Sequence, residues 1–207
     1  MEKFIIAGGC ALRISDTGNG KKTVSETGSV ADTAQDKPVL LLLHGYLESL
    51  DVWDSFTPLL TPHFRVVAID LPGHGISEVK GDVHTMEFLA DVTAASLDVL
   101  EIEKCIVAGH SMGGYAALEM LRKYTAKLDG LILFHSTPDP DTDAKKDQRQ
   151  REIEVVLSGK KDLLAMTVDK GFAVDNRRRF ADEIEELREQ VILTEEEGIV
   201  ALLHGMI

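Results

Sequence analysis

Cysteine is scarce. Among 207 residues only Cys10 and Cys105 occur, at a separation that fits neither a paired-cysteine metal site nor a redox pair. That usage excludes a disulfide scaffold and favours a reduced, cytoplasmic setting. Cys105 stands in an apolar, strand-like run, where a small buried residue is expected. Long apolar runs are missing too: none approaches the ~20 residues of a membrane span, so no membrane partner is expected. The opening stretch MEKFIIAGGC has an apolar core of only Phe4 to Ala7. That is too short for a signal peptide and fits a strand, a Gly8-Gly9 turn and a second strand, ALRIS. Positive charge is in the minority, with 22 Lys and Arg against 35 Asp and Glu, a net charge of −13. This balance opposes a phosphate backbone, and no basic stripe offsets it, so nucleic acid is not expected as a partner. The short run Arg177-Arg178-Arg179 reads as a solvated helix face. There is no H-E-x-x-H and no G-K-S/T, and hence no sign of a metal or a cofactor.

What is present is ordinary for a single globular domain: 44% hydrophobic and 28% charged residues, without an internal repeat. The polar stretch from Asp16 to Pro38, rich in Gly, Ser and Thr, is expected to be a long loop. PVLLLLHG follows, an uninterrupted apolar run of the kind a strand buried on both faces requires. In SLDVWDSFTPLL, Trp53, Phe56 and Leu60 are spaced as one helical face. FRVVAIDLPGHG predicts a second buried strand closed by a turn. Thr85 is expected to cap a helix whose Phe88, Val92, Ala95, Ser96 and Val99 share a face. KCIVAG predicts a strand, MGGYAALEMLRKY a helix and LDGLILFHS a last strand. Short apolar strands alternating with helices imply an α/β fold, a mostly parallel sheet with helices on both faces. After Pro138 the chain turns helical and highly charged, and Thr194 with Glu197 suggests a capping box at the start of a final helix. The expected organisation is a core over residues 1–137 and a helical cap or lid over 138–207.

The chemistry concentrates in Gly109-His110-Ser111-Met112-Gly113, a G-x-S-x-G pattern between a strand and a helix. A sharp turn there presents the Ser111 hydroxyl above the sheet, and side chains at the flanking glycines would collide with the neighbouring strand and helix. The Met112 N–H lies at the helix N-terminus, where partial positive charge gathers. His44-Gly45-Tyr46 follows PVLLLL directly, so the Tyr46 N–H falls at the carboxyl edge of a central strand. It could pair with the Met112 N–H to hold the oxyanion of a tetrahedral intermediate, where one donor is worth roughly 10²–10³ in rate. DLPGHGIS ends the next strand; Asp70 and His74 in it fit a structural turn.

HGY, DLPGHG and GHSMGG, in this order on successive strands, resemble the α/β-hydrolase superfamily, in particular its esterase-like members. The resemblance implies Ser111 as nucleophile, the main-chain N–H groups of Tyr46 and Met112 as an oxyanion hole, and the helices after Pro138 as a cap inserted after the sixth strand. It implies a small acyl compound as substrate and a serine hydrolase acting on carboxylic esters. A lyase or C–C bond hydrolase on the same fold is the alternative. The pattern also departs from the family. There the acid and the histidine follow strands after the cap, whereas no apolar strand follows GIVALLHGMI. The last two strands are expected to be absent from these residues, as in a piece of a longer protein, which leaves an inactive fragment or binding module as a third reading. Asp139 is the best substitute acid, and His135 is expected on the rim, lining the pocket. His204 is expected to pack, and His63 and His84 to lie in surface loops. The GLILF strand is expected to form an exposed edge, open to self-association.

Overall fold

The computed structural model describes residues 1–18 and 37–207, so most of the expected Asp16–Pro38 loop lies outside the described residues. Six strands form one sheet in the order β1-β2-β4-β3-β5-β6. The hairpin of β1 (Glu2–Ala7) and β2 (Cys10–Asp16) is antiparallel and turns at Gly8-Gly9, both at positive φ. β3 (Val39–Leu43), β4 (Arg65–Ile69), β5 (Cys105–His110) and β6 (Leu128–Phe134) run parallel to one another, as their apolar runs require.

The alternation of the strands divides the core. Leu41, Leu43, Val67, Ile69 and Val107 face α2 (Met86–Val99) and α3 (Met112–Tyr124), from which Leu89, Val92, Ala116 and Met120 pack against them. Leu40, Leu42, Val66, Ala68 and Ala108 face the other way, onto Leu50 and Trp53. Thr85 caps α2 as expected, its side chain accepting from the Phe88 N–H at 3.0 Å. The buried stripe of that helix is nevertheless centred on Leu89, Val92 and Leu97, and Val99 points outward. The segment around Trp53 is not one helix. A 3-10 turn at Leu50–Trp53, capped by Ser49, gives way to the short α1 (Thr57–Leu60), with Pro58 in its first turn.

Beyond β6 lie α4 (Asp143–Leu157), α5 (Asp162–Ala165), α6 (Ala181–Leu193) and α7 (Glu196–Met206). Ile153, Val156, Leu164, Val191, Ile199 and Leu203 form a small cluster of their own, against which Tyr46 and Leu47 of the sheet's rim are packed. The expected capping box does not form. Glu195 is the N-cap of α7, and the Thr194 hydroxyl bonds back to the Gln190 carbonyl at 2.8 Å, closing α6 instead. α7 also reaches the main core through Leu202. Its Gly198 lies against the Gly73 backbone, and Ala201 accepts from the His84 N–H at 2.8 Å. His84 is therefore buried rather than in a surface loop, its Nδ1 donating to the Pro72 carbonyl at 3.1 Å and its Nε2 accepting from the Lys80 N–H at 3.2 Å. His63 is exposed, and so is His204, against the expectation of packing.

β6 pairs with β5 alone among the described residues, and Ile132 and Phe134 on it are exposed. No described helix is long and apolar enough to cross a membrane.

Candidate active site

Parallel register creates the site. Leu43 of β3 is opposite Gly109 of β5, so both strands end at the same level of the sheet. The HGY and GHS segments therefore emerge side by side. Ser111 follows β5 with φ 48° and ψ −114°, a left-handed conformation that disfavours any residue with a Cβ. Several bonds hold it there: its N–H donates to Phe134 O at 3.0 Å, and its carbonyl accepts from the Gly114 N–H at 3.0 Å and the Ser136 hydroxyl at 2.8 Å. The flanking glycines are required by distance. A Cβ on Gly109 would lie 2.3 Å from Gly113 O, and one on Gly113 would lie 2.5 Å from Leu43 O and 2.6 Å from His44 O. The first turn of α3 is thereby seated on the end of β3. The N–H groups of Tyr46 and Met112 donate to no protein acceptor among the described residues.

The HG segment is fixed by two side chains. His44 is fully buried; its Nε2 accepts from the Leu71 N–H at 2.9 Å, so Nδ1 carries the proton and donates to Gly45 O at 2.8 Å. Burial pushes its pKa down, which keeps the ring neutral. Glu48 was not apparent from the sequence, where it is one more acid in HGYLES. Its Oε2 accepts from the Gly45 N–H at 2.6 Å and from His110 Nδ1 at 2.8 Å, tying the HGY loop to the residue before Ser111.

Asp70 and His74 serve the turn expected of DLPGHGIS. The buried Asp70 carboxylate accepts from the Leu50 N–H at 2.7 Å and the Ile76 N–H at 3.2 Å, and burial raises its pKa. His74 is buried beside the rings of His44 and Tyr46, and neither of its nitrogens has a partner among the described residues. Burial, reinforced by His44, pushes its pKa down to about 3.

The structure brings together Ser111, Met112 and Tyr46, but not the other two candidates. His135 is exposed, at φ 46°, with its ring edge-on to His110, and it lines none of the described cavities around the site. Asp139 is exposed, bonded to Thr137, and lines a separate cavity of about 300 Å³ beside Tyr115 and Met206. The Ser111 hydroxyl forms no hydrogen bond among the described residues, and so none to any histidine.

A cavity of about 550 Å³ opens between the rim and the α4–α6 layer. Tyr46, Leu47, Glu48 and His110 form its floor; Lys145, Gln148, Arg149 and Glu152 of α4, with Phe172 and Leu187, form its walls and roof. A second cavity of about 590 Å³, between Ser49–Phe56 and α6, shares Phe172 and Leu187 with it. These volumes suit small organic ligands.

Known proteins resemble this chain in sequence and fold. The pimeloyl-(acyl-carrier protein) methyl ester esterase of Aeromonas hydrophila is 31% identical over 158 residues, 73% of this chain and 59% of its own. The chain thus spans under two thirds of that relative's length. A thermophilic esterase from Thermogutta terrifontis, solved with malate bound, is 30% identical with a TM-score of 0.83, covering 100% of this chain and 72% of its own. The enol-lactonase of Burkholderia xenovorans LB400, at 20% identity, shares the fold with the same TM-score, covering 99% of this chain and 73% of its own. The family model of the alpha/beta hydrolase fold matches residues 38–163, from the strand before HGY to the helices beyond β6. The chain belongs to the alpha/beta hydrolase fold family.

Proposed function

We propose that this chain carries the nucleophile, oxyanion hole and substrate cavity of a serine hydrolase acting on carboxylic esters or related acyl compounds. The carrying observation is Ser111 at positive φ between β5 and α3, on glycines that admit no side chain. Ser111 Oγ attacks the acyl carbon while the free N–H groups of Tyr46 and Met112 receive the developing oxyanion. The hydroxyl proton passes through a base to the leaving alcohol, and water then releases the acid from the acyl-enzyme. The names of the esterase relatives support this reading. The base is the part that this geometry does not supply, since no described histidine is bonded to Ser111.

That same observation favours a second reading, a binding module with a silent elbow. A fluorophosphonate probe decides between them. Labelling of the chain at Ser111, lost in Ser111→Ala, supports an activated serine. Labelling only in a longer chain places the base beyond residue 207, and absence of labelling in both supports binding alone.

A further inference from the structure

The donors and acceptors around the 550 Å³ cavity do not balance. Both of its carboxylates are engaged: Glu48 by the Gly45 N–H and His110, and Glu152 by Gln148 Nε2 at 2.8 Å. Its two cations keep N–H donors to spare. Arg149 is only 5% exposed, and its Nε donates to Asp141 at 2.5 Å, but its two terminal nitrogens have no acceptor among the described residues. Those nitrogens are not sealed off, since they are absent from the buried atoms that lack partners. Lys145, four residues earlier on α4 and hence on the same face, has no ion-pair partner among the described residues. A buried guanidinium with spare N–H donors is costly to leave unmatched, and its planar fork suits a carboxylate.

We propose that the cavity takes esters that also carry a free carboxylate, such as monoesters of dicarboxylic acids, with Arg149 and Lys145 holding the anionic end. The ester end then lies toward Tyr46 and His110; Ser111 follows His110 in the chain but does not itself line the cavity, so the inference rests on the serine-hydrolase reading for its orientation. Leu47, Leu164, Val168 and Phe172 line the path between as apolar wall for a methylene chain.

The test is binding, so it needs no turnover. Monomethyl adipate and its neutral counterpart, dimethyl adipate, are titrated by calorimetry or NMR into the Ser111→Ala chain. The monoanion is expected to bind at least about tenfold more tightly, with the difference shrinking at high salt. Lys145→Gln, at an exposed position, is expected to reduce the preference. The double change Asp141→Asn with Arg149→Gln removes the pair together, leaves no buried unpaired carboxylate, and is expected to abolish it. Equal binding of the two esters, or a preference untouched in folded variants, overturns the proposal. Fluorophosphonate labelling of Ser111 is measured separately, in this chain and in a longer one: labelling without a carboxylate preference sinks this inference alone, whereas a preference without labelling in either sinks the hydrolase.

Discussion

Replacing His74 with leucine is expected to flatten the acid limb of the chain's stability. The imidazole is buried with both nitrogens unpartnered among the described residues, and its pKa falls from the ordinary 6.5 to about 3. Above pH 6.5 the ring is neutral whether folded or not, and the native state carries no penalty. Below it, the unfolded chain binds a proton that the native state refuses until about pH 3, so stability falls with falling pH. One such group costs about 2 kcal/mol by pH 5. His44 and His84 are depressed in the same sense and Asp70 is raised in the opposite one, so the variant and the wild type must be measured side by side. Urea unfolding at pH 7, 6 and 5 does this. His74→Leu is expected to lie within about 1 kcal/mol of wild type at pH 7, because no hydrogen bond is lost, and to gain about 2 kcal/mol on it by pH 5. Parallel slopes would refute the reasoning and mean that a partner keeps His74 titrating normally.

Three other perturbations probe the site and the sheet. Gly113→Ala drives a Cβ into the Leu43 and His44 carbonyls, which are backbone and cannot yield cheaply. It is expected to cost about 1–3 kcal/mol in urea unfolding and to slow fluorophosphonate labelling on the order of 100-fold, with unchanged values as the contrary result. Glu48→Ala frees the Gly45 N–H and His110 at once and is expected to lower stability by about 1–3 kcal/mol; Glu48→Gln, which keeps an acceptor, is expected to recover part of it. We further propose that the β6 edge pairs with a second copy of the chain. Light scattering is expected to show association that rises with concentration and is lost in Ile132→Lys, and a monomer at all concentrations would dispose of the idea.

The sheet was legible because its strands are nearly unbroken apolar runs. The elbow was legible because a serine set between two glycines, where a strand passes into a helix, meets a steric demand that few other turns impose. What stayed hidden depends on contacts distant in sequence. Glu48 meets His110 across 62 residues, and nothing local distinguishes it from its acidic neighbours. His84 sits in a polar stretch that looks exposed until α7 is laid over it. Thr194 and Glu197 have capping-box spacing, yet the Thr194 hydroxyl is taken by the helix behind it. Spacing alone cannot tell which of two helix ends a threonine will serve. Arg149 likewise lies in a highly charged helical stretch where nothing local singles it out, and only the packing of α4 over the rim buries that one side chain.

The double allegiance of α7 bears on how the cavity is held together. Its Ile199 and Leu203 belong with the helices over the cavity, and its Leu202 with the sheet. The glycines at 198 and 205 bring its backbone against Gly73 and His84 without intervening side chains. Anchored to both layers, α7 ties the helices over the cavity to the sheet, and Phe172 and Leu187 stand where the two cavities meet.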